Sequence, residues 1–98
     1  MVNLVIISAE DGVGKKFPLI DGDLLIGRAE DAGVRINDKK ASLRHCMIHT
    51  NQGSFEIEDL KSRNGTFING VKLNKASLSI GDRIVIGSTV FELRKGPR

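Results

Sequence analysis

The sequence contains no tryptophan or tyrosine, and it has only four phenylalanines and one cysteine among 98 residues. Small β-barrels that bind single-stranded nucleic acid stack the bases on exposed aromatic rings. The scarcity of aromatic residues therefore argues against a nucleic-acid partner. The lone cysteine, Cys46, cannot form an internal disulfide, which excludes the cysteine framework of small secreted domains.

Long apolar runs are also missing. No stretch approaches the roughly 20 residues that a membrane-spanning helix requires. The apolar start, residues 1–8, has neither a basic segment nor a small-residue cleavage site, so it does not resemble a secretory signal. We expect no membrane partner and a cytoplasmic location.

The length is that of a single domain that can bury a core without disulfides or metal. The net charge is only +3, but charges of each sign are grouped. The acidic groups are residues 10–11, 21–23, 30–31 and 56–59, and the basic groups are residues 39–40, 44 and 61–63. Such local fields can steer a charged partner even when the total charge is small.

Short β-branched or alternating segments separated by turn residues indicate an all-β fold. They cover residues 2–8, 17–20, 24–26, 34–36, 46–50, 54–58, 66–68, 83–86 and 89–93. No helical apolar period persists along the chain, so we predict no helix. About ten or eleven short strands with regularly spaced turns are typical of a sandwich or a barrel. We predict one domain over residues 1–94 and a frayed tail over residues 95–98.

The segment LKSRNGTFING, residues 60–70, is the most informative part of the chain. Its two Asn-Gly pairs, Asn64-Gly65 and Asn69-Gly70, each predict a tight turn with positive φ at both residues. The remaining donors in the segment are Lys61, Ser62 and Arg63. A rigid, polar and basic loop of this kind predicts an anionic ligand.

Four motifs occur in a particular order along the chain. They are Gly27-Arg28, Ser42-x-x-His45, Asn64-Gly65-Thr66 with Asn69-Gly70, and Gly81-Asp82-Arg83-Ile84-x-Ile86-Gly87. Together they resemble the forkhead-associated (FHA) domain over residues 2–93. The resemblance implies an eleven-stranded β-sandwich that binds phosphothreonine peptides through loops at one end. It also implies an adaptor without catalytic activity or cofactor, commonly paired with Ser/Thr kinase signalling.

The resemblance assigns roles to individual residues. Arg28 is expected to face the phosphate, and the hydroxyl of Ser42 is expected to donate to a phosphate oxygen. Arg63 is expected to contact the phosphate or its threonine, and Asn64 to bond the peptide main chain with an amide presented outward by left-handed geometry. Residues expected to be structural are Gly27, His45, Gly65, Asn69 and Gly70.

The chain departs from the family pattern at Leu43, where an arginine or another polar residue is usual. Arg44 could substitute if the segment is a loop, and Lys40 could supply charge to residues beside the phosphothreonine. Otherwise the site has lost a donor, which would weaken phosphopeptide binding or change its preference. Leu43 therefore also motivates an alternative function, a phosphate-independent interaction module on the same fold.

Two other readings of the motifs fail on geometry or sequence. In a strand, His45 and His49 would lie about 13 Å apart with Cys46 on the opposite face, which rules out one shared zinc ion. A hydrolase using Ser42 and His45 would lack the Gly-x-Ser-x-Gly elbow. We predict no enzyme activity, no metal, a monomer in solution, and as partner a phosphothreonine-containing protein or a Ser/Thr kinase. This prediction requires the three segments that carry Arg28, Ser42 and Asn64 to converge at one end of the fold.

Overall fold

The computed structural model describes residues 1–97, which form eleven β-strands. The strands are β1 (Val2–Ser8), β2 (Lys16–Pro18), β3 (Gly22–Gly27), β4 (Val34–Arg35), β5 (Cys46–Asn51), β6 (Ser54–Asp59), β7 (Thr66–Ile68), β8 (Val71–Leu73), β9 (Lys75–Leu78), β10 (Arg83–Ile86) and β11 (Thr89–Lys95). Within this described range there is no helix, and hence none that could span a membrane.

The strands form two sheets packed face to face. The six-stranded sheet has the order β2-β1-β11-β10-β7-β8, and the five-stranded sheet has the order β4-β3-β5-β6-β9. Neighbouring strands are antiparallel except for β3 and β4, which are parallel with Gly27 opposite Arg35. The predicted all-β sandwich is confirmed.

The core lies between the sheets and is built from the alternate residues of each strand. Its largest fully buried apolar side chains include Leu4, Phe91 and Leu93 from the six-stranded sheet and Ile48 and Ile57 from the five-stranded sheet. Burial of one such side chain stabilises the fold by about 1.5–3 kcal/mol. Because only one face of most strands reaches this core, polar residues can alternate with apolar ones.

Several strand ends differ from the sequence prediction by one or two residues. The second strand covers Lys16–Pro18 rather than 17–20, since Pro18 has no N–H to donate to a ladder. The strands Val71–Leu73 and Lys75–Leu78 were not predicted, because each is short and owes its conformation to its partner strand. The Asn69-Gly70 turn that joins β7 to β8 has the expected positive φ values, 48° and 85°.

The predicted tail is partly paired. Lys95 is the last residue of β11, and the backbone N–H of Gly96 donates to the carbonyl oxygen of Met1 at 2.7 Å. Arg98 lies outside the described residues. The boundary of the domain at residue 94 stays a prediction.

Candidate functional site

Three loops that are distant in sequence meet at one end of the sandwich. We call residues 27–29, 38–45 and 60–65 the site loops. The backbone N–H of Arg28 donates to the carbonyl oxygen of Ser42 at 3.1 Å, and the backbone N–H of Arg63 donates to Oγ of Ser42 at 2.9 Å. The side-chain amide of Asn64 donates to the carbonyl oxygen of Lys40 at 2.8 Å. The convergence that the sequence interpretation required is therefore present.

Arg28 follows directly after β3 and is exposed. Its Nε donates to the carbonyl oxygen of Ala41 at 2.6 Å, which fixes the direction of the guanidinium. The two terminal nitrogens have no hydrogen-bond partner within residues 1–97, so they remain available for a ligand. Preorientation of this kind reduces the entropy that a flexible arginine loses when it binds an anion.

Gly27 allows the end of β3 to lie against the loop that contains Ser42. A Cβ atom at this position would overlap the backbone carbonyl of Leu43. The backbone N–H of Ala29 also donates to that carbonyl, at 3.0 Å. The glycine is therefore needed for close backbone approach rather than for an unusual φ.

His45 is fully buried beneath the site loops. Its Nδ1 accepts from the backbone N–H of Ser42 at 3.0 Å, and its Nε2 lies 2.9 Å from the carbonyl oxygen of Gly65. The imidazole thus joins the second site loop to the third. That His45 braces the binding loops, without contacting the ligand, stays a prediction.

The carboxylate of Asp59 holds the third site loop in place through three hydrogen bonds. Its carboxylate accepts from the Ser62 N–H at 3.0 Å, the Ser62 hydroxyl at 2.5 Å and the Thr66 hydroxyl at 2.7 Å. Burial would raise the pKa of Asp59, but the hydrogen bonds from Ser62 and Thr66 outweigh it and hold that pKa below its ordinary value. The sequence interpretation did not identify Asp59.

The turn at Asn64-Gly65 corrects one prediction. Gly65 has a φ of 89°, but the other positive φ in this loop is that of Lys61, at 55°, and not that of Asn64. The hydrogen bonds between Asp59 and Ser62 shape the loop, so a two-residue Asn-Gly turn does not form. The Asn64 amide, on an exposed residue, donates one proton to the carbonyl oxygen of Lys40. Its carbonyl oxygen and second amide proton have no partner within residues 1–97.

Asp38 anchors the second site loop to the turn between β10 and β11. Its carboxylate accepts from the backbone N–H groups of Lys40 and Ser88 at 2.9 and 2.8 Å, and from the Thr89 hydroxyl at 2.9 Å. Burial would raise the pKa of Asp38, but these hydrogen bonds lower it below its ordinary value. Gly87 has room only for a hydrogen here, since a Cβ would lie 2.7 Å from Oδ1 of Asp38. No local sequence signal points to this contact.

The side chains of Leu43 and Arg44 are both exposed. Leu43 is 55% exposed. The Nη1 of Arg44 pairs with Asp31 at 3.2 Å, and the part expected of Arg44 in the phosphopeptide site stays a prediction. Both side chains of that pair are more than half exposed, so the pair itself contributes only about 0–1 kcal/mol to stability. Lys40 is exposed, and its side chain has no ion-pair partner within the described chain.

Asn69 and Gly70 lie on the β7–β8 hairpin, away from the contacts that join the site loops. The Asn69 side chain donates to Asp82 and accepts from the backbone N–H of Arg83, both at 3.0 Å. Asn69 therefore ties the hairpin to the residues at the start of β10, and Gly70 supplies the second positive φ of the turn.

The remaining titratable residues of the Ser42-x-x-His45 region do not form a second centre. Burial raises the pKa of the Cys46 thiol to about 12. His49 lies on the outer face of the five-stranded sheet, where it contacts Asp23 at 2.7 Å and Glu58 at 3.1 Å. In residues 1–97 no group of three or more His, Cys, Asp or Glu side chains is placed to hold a metal ion.

Comparisons with known proteins point to one family. The family model of the FHA domain matches residues 24–87. The protein FhaB of Mycolicibacterium smegmatis, described as FHA domain-containing, is 38% identical over 82 residues, which cover 83% of this chain and 53% of that protein. The chain thus spans about half the length of this curated relative.

Solved structures agree in fold. A structure titled as an analysis of phosphothreonine-dependent FHA domain interactions is 33% identical with a TM-score of 0.89, covering 99% of this chain and 98% of its own. EmbR of Mycobacterium tuberculosis in complex with a low-affinity phosphopeptide is 25% identical with a TM-score of 0.87, covering 99% of this chain and 25% of its own. With a family model matched over most of its length, the chain belongs to the forkhead-associated domain family.

Proposed function

We propose that the chain binds phosphothreonine peptides at the site loops and acts as an adaptor for a phosphorylated partner. The observation that carries this proposal is the convergence of donors that the protein itself holds in position. They are the terminal nitrogens of Arg28, the hydroxyl of Ser42 and the amide of Asn64. Ser42 Oγ accepts from the Arg63 N–H, and its own proton has no acceptor within residues 1–97, so it can donate to a ligand.

The chemistry of this rim matches a phosphate better than a carboxylate. A phosphothreonine carries about −1.5 to −2 charges and three acceptor oxygens, so it requires several convergent donors. The fork of Arg28 can bond two of these oxygens together. An exposed site avoids most of the desolvation cost of such a charge. The threonine methyl and its restricted χ1 offer a further feature that serine lacks.

The family supports the same conclusion. Of two similar structures, one concerns phosphothreonine-dependent FHA domain interactions and the other is a complex with a phosphopeptide. We propose for this chain a non-catalytic role in which a Ser/Thr kinase creates the mark and the domain recruits the marked protein. The monomeric state and the cytoplasmic location stay predictions.

The test compares one peptide library in phosphothreonine and unphosphorylated forms by fluorescence anisotropy. We expect binding only to phosphorylated members, and we expect Arg28→Ala to weaken it at least about tenfold, because a charged hydrogen-bond partner of the phosphate is lost. Arg94→Ala is the matched control, since this arginine lies on β11 and pairs with Glu92. Equal binding of both forms, or unchanged affinity in Arg28→Ala, would show that the proposal is wrong.

The exposed side chain of Leu43 favours a second candidate, a phosphate-independent interaction module. An apolar side chain in the middle of a polar rim is available for contact with a partner. If this second function holds, Leu43→Ala should weaken binding of an unphosphorylated partner, whereas Arg28→Ala should not.

A further inference from the structure

A second concave region lies beside the proposed site and shares only Arg28 with it. It has a volume of about 540 Å³, which is in the range of small-ligand sites. Its lining includes Lys15 from the β1–β2 loop, Arg28 after β3, and Arg35 from β4. We call it the basic cavity.

The basic cavity has an excess of positive charge. Asp11 is the single acidic residue in its lining, against the three cations Lys15, Arg28 and Arg35. None of these three cations forms an ion pair within residues 1–97. Cations that share a low-dielectric concavity raise the local positive potential more than the same charges spread over a convex surface.

The fold holds the three cations near one another. Arg35 lies opposite Gly27 in the parallel β3–β4 pair, and its Nε approaches the carbonyl oxygen of Arg28 at 3.4 Å. The Lys15 N–H donates to the carbonyl oxygen of Gly12, and the Lys15 carbonyl accepts from Ile6 N–H, both at 3.0 Å. Lys15 is therefore tied to β1, and it is not on a freely moving loop.

The lining of the basic cavity is also apolar in part. Ile6 and Ile36, which are buried, form part of its wall. A ligand group with an aliphatic stem and an anionic end can pack its stem against these apolar side chains and pair its charge with the cations. Acidic amino-acid side chains and phosphorylated side chains have this form.

We propose that the basic cavity is an acidic-residue subsite of the phosphopeptide-binding surface. In this proposal Arg28 lies at the boundary of the two sites, and Lys15 with Arg35 binds a carboxylate or a second phosphate that flanks the phosphothreonine on the same peptide. The inference rests on the proposed function, because the phosphothreonine places the flanking residue next to the cavity. Asp11 opposes the anion, so its removal should strengthen the preference.

For each protein variant, the experiment measures the ratio between its affinities for phosphopeptides with and without an anionic flanking residue. A phosphothreonine peptide with alanine at every flanking position is compared with peptides that carry one Asp, one Glu or one second phosphothreonine at each position in turn. In the wild-type chain we expect at least one position where an anionic residue improves affinity about fivefold or more. The carboxylate and phosphate arms show which anion the cavity prefers.

Three variants test whether the residues of the basic cavity cause the preference for an anionic flanking residue. In Lys15→Ala/Arg35→Ala the advantage of the anionic residue should fall to about twofold or less, and in Asp11→Asn it should rise. Lys16→Ala is the matched control: it removes the same charge from the neighbouring residue, which is exposed on β2 and lies outside the cavity lining. The control should keep the wild-type ratio.

The outcomes separate the two proposals. If the alanine-flanked phosphopeptide binds but no anionic position improves affinity, the subsite is wrong and the proposed function stands. The subsite is also wrong if the advantage survives in the double variant. If no phosphothreonine peptide binds to the wild-type chain, the proposed function fails and the subsite fails with it.

Discussion

His45 accepts a hydrogen bond from the backbone N–H of Ser42 on Nδ1, at 3.0 Å. Because a backbone amide can only donate, Nδ1 carries no proton, and Nε2–H donates to the carbonyl oxygen of Gly65. The neutral imidazole is therefore a spacer of fixed length between the loop that holds Ser42 and the loop that holds Asn64.

Replacement of His45 by alanine should affect both stability and binding. The Ser42 N–H and the Gly65 carbonyl would lose their partner, and a buried cavity would form. We expect the free energy of unfolding to fall by about 2–4 kcal/mol and phosphopeptide affinity to fall at a temperature where the variant is still folded. Urea denaturation and anisotropy measure the two effects. His49→Ala, measured in parallel, should leave affinity unchanged. Full affinity in folded His45→Ala would limit this residue to a stabilising role.

Gly27→Ala should displace the loop that contains Ser42. The new Cβ would overlap the Leu43 carbonyl, and backbone cannot yield as easily as a flexible side chain. We expect phosphopeptide affinity to drop at least about tenfold, as one well-placed charged donor is worth that much. Gly33→Ala is the matched control, since its Cβ would meet only the Cδ1 end of Leu24, at 2.6 Å. Similar affinities for the two variants would contradict the importance of close approach at Gly27.

Asp38→Asn tests the anchor between the second site loop and the β10–β11 turn. The charge-assisted bonds to Lys40, Ser88 and Thr89 would weaken, so we expect a loss of about 2 kcal/mol in stability near neutral pH, together with weaker phosphopeptide binding.

The lowered pKa of Asp38 predicts how the stability difference between the wild-type and Asp38→Asn chains changes with pH. The pKa of Asp38 is lowered in the folded chain from an ordinary value of 3.8, so its contribution is present above that value. It is lost as the pH falls through the folded pKa. Unfolding free energies of wild-type and Asp38→Asn chains should therefore differ near neutral pH and converge in acid. A difference that persists in acid would show that the charge of Asp38 is not the cause.

His49 should make a pH-dependent contribution of the opposite sign. Hydrogen bonds to Asp23 and then to Glu58 raise the pKa of His49 above its ordinary value of 6.5. Its stabilising effect is then fully present below pH 6.5 and is lost as the pH rises through the folded pKa. We expect His49→Ala to be less stable than the wild-type chain in mildly acidic buffer and nearly equal to it in alkaline buffer, by urea denaturation. If the stability difference between His49→Ala and the wild-type chain were the same in acidic and alkaline buffer, the ion pairs of His49 would not contribute to stability as predicted.

Much of the fold could be predicted because the relevant signals are local. The alternation of Phe55 and Ile57 with acidic residues marks β6, and the Asn69-Gly70 pair marks the β7–β8 turn. The short strands β8 and β9 escaped prediction because three or four residues of mixed polarity carry no periodic signal. Their extended conformation depends on a neighbouring strand, which the local sequence does not describe.

The candidate site was predicted unevenly for the same reason. The family resemblance drew attention to Arg28, Ser42 and Asn64, and the structure brings them together, while their roles toward a peptide stay predictions. The left-handed backbone expected at Asn64 was wrong, since the Asp59 network overrides the usual Asn-Gly turn. Asp38 was missed because its partner Thr89 is 51 residues away.

The sequence by itself determined where the chain extends and turns, since hydrophobic alternation and glycine act over a few residues. It also supplied the donors of the proposed site. Only the tertiary structure decided which donors lie side by side, which carboxylates hold their loops, and that Lys15 and Arg35 border the same cavity as Arg28. The physical reason is that these contacts depend on strand pairing between distant segments, and the free energy of that pairing is a property of the whole packed core.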